Sequence, residues 1–128
     1  MPRLVGVSHT VTTLQMANQR LKRRALSAAD ALAGRGISAS VLSFPGFHPL
    51  DVSAIIDAAR RHRAILTVEE HSVAGGFGSR VADVLITTGL APRFAKYGIT
   101  EALRGQIGSQ NWLLDRLGPI EDHAAALL

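Results

Sequence analysis

Glu69-Glu70-His71 is the densest run of groups able to move a proton. It follows Ala64 to Val68, a short apolar run with β-branched residues that reads as a central parallel strand. Open α/β sheets hold their ligands at the carboxyl ends of such strands, so the triplet is a candidate for acid–base work. Adjacent residues on a strand point to opposite faces, so the two carboxylates do not form a paired dyad. The alternative is structural: one acid caps a helix or pairs with an arginine, and His71 lines an interface.

A glycine-rich turn comes next, Gly75-Gly76-Phe77-Gly78-Ser79, with Arg80 behind it. Glycines allow close backbone approach, and the helix that follows offers free amides and a positive dipole to an anion. No Gly-Lys-Ser/Thr follows, so the turn is not a P-loop, and its spacing is not that of a dinucleotide fingerprint. The plainer reading is a tight strand-to-helix turn that packs closely or meets a partner chain. Glu70, His71, Gly75, Gly76, Phe77, Gly78, Ser79 and Arg80 therefore form one candidate anion or interface site.

Other chemistry finds less to rest on. The five histidines, His9, His48, His62, His71 and His123, include no pair at helical i, i+4 spacing, so no metal site is expected. No serine sits in a Gly-x-Ser-x-Gly elbow and there is no cysteine, which leaves a hydrolase without a nucleophile. No residue is assigned a catalytic role. Arg20, Lys22, Arg23 and Arg24 make one dense basic cluster. It reads either as a phosphate or nucleic-acid contact or as the solvated face of a long helix. Aromatics for base stacking are few, so nucleic acid is not an expected partner. Trp112 reads as a core or interface anchor.

These residues need a scaffold, and 128 residues suffice for one domain spanning 1–128. Hydrophobic residues are 47% and charged residues 19%, a globular balance. The formal charge of +4 suits solubility and weak attraction to anions. No apolar run approaches the roughly 20 residues of a membrane span. The start, Met1-Pro2-Arg3, lacks a secretory pattern, so a cytoplasmic location with no membrane contact is expected.

Strand-like and helix-like segments alternate. Leu4 to Val7 reads as a short strand. From Thr12 to Ala33 the apolar residues Leu14, Ala17, Leu21, Ala25, Ala28 and Leu32 fall on one helical face, and Gly34 and Gly36 follow as stop signals. Ile37 to Phe44 reads as a strand, and Asp51 as the N-cap of a helix that buries Val52, Ile55, Ile56 and Ala59. Phe77, Val81, Val84 and Leu85 mark a third helix that Gly89 and Pro92 stop. Arg93 to Tyr97 reads as a last strand. Ser109 caps a helix from Gln110 to Leu117, and a closing helix runs from Ile120 to Leu127. The order predicts parallel strands with helices on both faces.

From Leu26 onward the motif order resembles the C-terminal domain of transketolases, 2-oxo-acid dehydrogenase β subunits and deoxyxylulose-phosphate synthase. The carrying pieces are Ser27 to Leu32, Gly36 to Leu42, His48-Pro49-Leu50-Asp51, Ile65 to His71, Gly75 to Ser79, Tyr97-Gly98-Ile99 and Gly108-Ser109. Each is common, and their order and spacing are what is specific. Gly6 to Arg24 departs from the family's opening pattern. The resemblance implies a three-layer α/β/α domain with a mostly parallel five-stranded sheet and one antiparallel edge strand. It implies a C-terminal subunit or detached C-terminal domain of a thiamine-diphosphate-dependent transferase, supplying subunit contacts rather than catalytic groups and not active alone. Thiamine diphosphate and magnesium would sit on a partner chain carrying the pyrophosphate- and pyrimidine-binding domains, and a homodimer is a further possible assembly. The alternatives are a freestanding anion- or phosphate-binding module and a truncated remnant.

Overall fold

The computed structural model describes residues 10–16, 19–45, 49–72, 75–99 and 115–128. The elements run β1 (Thr10–Met16), α1 (Gln19–Gly34), β2 (Ser38–Phe44), α2 (Val52–Arg61), β3 (Ala64–Ser72), α3 (Phe77–Thr88), β4 (Arg93–Ile99) and α4 (Ile120–Ala125).

The strands order as β2-β1-β3-β4, and every pairing is parallel. A helix joins each strand to the next and returns the chain to the same end of the sheet, which makes the pairings parallel. Among the described residues there are four strands, all parallel, and the fifth strand with an antiparallel edge that the resemblance implies is not among them. The chain steps from β1 outward to β2, then crosses back over β1 to β3 and on to β4. With right-handed crossovers, that reversal moves the helices from one face to the other.

The two resulting cores are separate. Leu21, Ala28 and Leu32 of α1 and Ile120 and Ala124 of α4 pack on Val11, Ala64, Leu66, Val68 and Tyr97. On the other face, Ile55 and Ala58 of α2 and Phe77, Val81 and Leu85 of α3 pack with Phe44 and Ile65. β3 feeds both cores by alternation, as a strand covered on two faces must.

Thr10 to Met16 corrects the sequence reading most. Residues 12–16 continue no helix; they belong to β1, one of the two interior strands of the sheet. Leu14 fell on the helical spacing by coincidence, whereas Thr10, Val11, Thr12 and Thr13 are β-branched residues that suit a pleated surface. From Leu21 onward the helical face is as predicted, with Leu21, Ala25, Ala28 and Leu32 buried.

Asp51 caps α2 as expected, its carboxylate accepting from the Ala54 amide at 3.1 Å. Val52, expected in the buried stripe, is exposed, and Ala58 is buried in place of Ala59. Gly89 ends α3 in the left-handed region at φ 73°, where a side chain would be strained. The expected strand Leu4 to Val7, Trp112 and the Ser109 cap lie outside the described residues. No helix among the described residues is long and apolar enough to cross a membrane.

Candidate functional site

β3 runs on through the acidic triplet to Ser72, past the expected end at Val68. Ala64, Leu66 and Val68 face α1, so Ile65, Thr67 and Glu69 face α3. Glu69 is 1% exposed. One carboxylate oxygen accepts from the Phe77 amide at 3.0 Å and the other from the Gly78 amide at 2.9 Å. These are among the amides that a helix start leaves without an internal partner. The α3 N-cap position is Gly76, which has no side chain to serve them. The acid comes from the neighbouring strand instead, with its charge at the positive end of the helix dipole.

The glycines make this approach possible. Gly75 sits at φ +76°, open to glycine and strained for other residues. A Cβ on Gly78 would lie 2.5 Å from Thr67 Oγ1 and 2.8 Å from Lys96 Cγ and Cδ, so α3 reaches the sheet only because that position is bare. Phe77 is fully buried, its ring centroid 5.2 Å from that of Phe44. The Gly75 amide donates to Ser79 Oγ at 3.0 Å, Lys96 Nζ donates to the same oxygen at 3.3 Å, and the Arg80 amide donates to the Gly76 carbonyl at 3.2 Å. Thus the amides of Gly75, Phe77, Gly78 and Arg80 are all engaged within the chain.

The structure brings Gly75 to Arg80 together with Glu69, which the sequence reading left out of the site. Glu70 and His71 are backbone members of β3, and their side chains lie outside the described residues. The run Ala64 to Val68 is apolar on both faces, so nothing local said which acid would turn toward the helix. The available signal was Gly76, a residue unable to cap, where a cap was needed.

A second polar group lies toward the other end of the sheet. His62, at the C-cap of α2, holds the Ala58 carbonyl at 2.9 Å through Nδ1. Its Nε2 is 3.0 Å from Ser40 Oγ, which lies 3.2 Å from Thr12 Oγ1. The Ser40 hydroxyl donates to Thr12 Oγ1, so its oxygen links the ring to β1. The bracket ties β1, β2 and the end of α2. Among the described residues, no three His, Asp or Glu side chains come together as a metal site would require.

The basic cluster is not one uniform face. Lys22 and Arg23 are exposed, whereas Arg24 is half-buried and pairs with Asp115 at 3.3 Å. Arg23 and Arg24 line a cavity of about 270 Å³ with Ser27, Tyr97 and Gly118 to Glu121. Tyr97 is buried, and its hydroxyl donates to the Gly118 carbonyl at 2.7 Å. Burial pushes that phenol above its ordinary range, and the Arg24 guanidinium beside it pulls the other way.

A parallel sheet wound on both faces, with an acid at a strand's carboxyl end facing a glycine-rich turn, defines an α/β domain of a widespread class. Comparison with known proteins narrows it. Residues 4–123 match the family described as transketolase, C-terminal domain, and the chain belongs to that family. It is 44% identical over 90 residues to the 1-deoxy-D-xylulose-5-phosphate synthase of Thermomicrobium roseum, across 63% of this chain and 14% of that protein. It is 41% identical over 96 residues to the enzyme of the same name from Syntrophotalea carbinolica, across 75% of this chain and 15% of that one. A solved structure of a split-gene transketolase, described as an inactive β4 tetramer, superposes with a TM-score of 0.77 at 30% identity over 92% of this chain and 37% of its own. The chain thus spans about a seventh of the curated relatives' length.

Proposed function

We propose that the chain works as the C-terminal subunit or detached C-terminal domain of a transketolase-like enzyme, supplying subunit contacts. The observation that carries this reading is the match over residues 4–123 to the transketolase C-terminal domain, together with the likeness of 92% of the chain to a split-gene transketolase. The parent chemistry is thiamine-diphosphate-dependent transfer of a two-carbon unit to or from a sugar phosphate, in the cytoplasm. In the glycine turn the Phe77 and Gly78 amides that could hold a pyrophosphate already hold Glu69. Thiamine diphosphate and magnesium therefore belong, in this reading, to a partner chain with the pyrophosphate- and pyrimidine-binding domains.

The Gly75–Arg80 turn serves the same reading as an interface element, positioned by Glu69 and not itself reactive. Exposed Leu42 on the edge strand β2 and exposed Val52 at the start of α2 are apolar groups of the kind a partner covers. The test is affinity capture of the tagged chain from its native extract, followed by mass spectrometry. A stoichiometric partner with the two thiamine-diphosphate domains is expected, and addition of the cofactor to that complex should give activity that the chain alone lacks. Capture of the chain without such a partner, or saturable thiamine-diphosphate binding by the isolated chain in calorimetry, would refute it.

A further inference from the structure

The subunit role makes no use of the cavity beside α1. Arg23 and Ser27 are four residues apart on α1 and so share a face, and Glu121 enters from the first turn of α4. Among the described residues, the Arg23 guanidinium, the Ser27 hydroxyl and the Glu121 carboxylate have no hydrogen-bond or ion-pair partner. Arg24 pairs with Asp115, whose side chain is 70% exposed, and hydrogen-bonds the Tyr97 hydroxyl, and a guanidinium has further N–H groups to offer. The walls are fixed from outside the cavity. Arg35, just past the end of α1, pairs with Asp122 of α4 at 3.0 Å, and the Tyr97 hydroxyl pins the Gly118 turn.

The lining therefore offers donors from α1, two guanidiniums and a hydroxyl, and one acceptor carboxylate from α4. A guanidinium fork matches the oxygens of a phosphate, and a serine hydroxyl adds a third donor direction. Glu121 repels a bare dianion but accepts from a hydroxyl carried by the same ligand. About 270 Å³ lies just under the usual range for small-molecule sites and is too small for a nucleotide. We propose that this cavity binds a small phosphate monoester bearing free hydroxyls. The site is independent of the glycine turn and of the proposed subunit role.

The test is calorimetric titration of the full chain at low salt with glycerol 3-phosphate, methyl phosphate and glycerol. Saturable binding of glycerol 3-phosphate is expected, with methyl phosphate weaker and glycerol inert. Arg23→Gln should weaken glycerol 3-phosphate by about tenfold or more, the worth of a charge-assisted contact. Glu121→Gln should narrow the gap between the two phosphates, and Arg60→Gln, on the far helix α2, should change nothing. Arg23 is exposed, and circular dichroism will show that its variant is folded. No saturable binding by the folded chain would overturn the proposal. So would binding untouched by Arg23→Gln, or lost instead with Arg80→Gln. Equal affinity for the two phosphates in the unaltered chain would mean an adventitious anion only, and would also overturn it.

Discussion

Glu69→Gln puts the central contact under test. The carboxylate accepts two amides, at 3.0 and 2.9 Å, in a site with 1% exposure. A glutamine keeps one acceptor oxygen and turns an NH₂ group toward the other amide, leaving a buried donor unsatisfied at a cost of about 1–3 kcal/mol. The lost charge at the positive end of the α3 dipole adds about 0.3–2 kcal/mol. A neutral amide is cheaper to bury than a carboxylate, and that returns part of the sum. The expected net loss is about 2–4 kcal/mol, a large share of the roughly 5–15 kcal/mol that holds a domain folded. Urea titration followed by far-UV circular dichroism reads this loss as a lower midpoint at unchanged slope. Thermal melts should fall by about 8–16 °C. Glu69→Ala should cost more, because both donors are stranded. A loss under about 0.5 kcal/mol for Glu69→Gln would refute the view that the strand acid, not the turn, secures the start of α3.

Three further outcomes follow from the same face and its opposite. Gly78→Ala should destabilise by about 1–3 kcal/mol in urea titration, because its Cβ would meet Thr67 Oγ1 at 2.5 Å; Lys96 can swing aside and a buried strand side chain cannot. Part of that loss should return when Thr67→Ala is added, measured as a double-mutant cycle. Thr67→Val should be neutral or stabilising by up to about 1 kcal/mol, since the buried hydroxyl it removes has no hydrogen-bond partner. On the other face, burial raises the Tyr97 phenol above its ordinary value near 10. The unfolded phenol then loses its proton first, so this contribution to stability is whole below about pH 10 and declines as pH rises through that value toward the folded one. Denaturation midpoints measured from about pH 9 to 11 should fall more steeply for the unaltered chain than for Tyr97→Phe.

Much of the scaffold was legible because local chemistry agreed with the final fold. Asp51 caps α2, Gly89 ends α3, and Leu21, Ala25, Ala28 and Leu32 are the buried face of α1, each as spacing and residue type required. The motif order from Leu26 onward named the family that the comparisons confirm. The reading failed where a local signal was satisfied by two structures. Leu14 fits a helical face as well as a strand, and only pairing with β2 and β3 makes Thr10 to Met16 an interior strand.

What the sequence determined by itself was the order of elements from α1 onward, the N-cap of α2, the stop of α3, the parallel α/β class and the family, because each depends on residues close in the chain or on motif order. That β1 lies beside β3 inside the sheet, which of two adjacent acids turns inward, and which basic residues share a cavity were decided by tertiary structure. Glu69 meets α3 because the sheet assigns Ile65 and Thr67 to that face. Arg23, Tyr97 and Glu121 become neighbours because α1, β4 and α4 close over one side of the sheet. Those relations join residues far apart in the chain, and no local propensity or spacing encodes them.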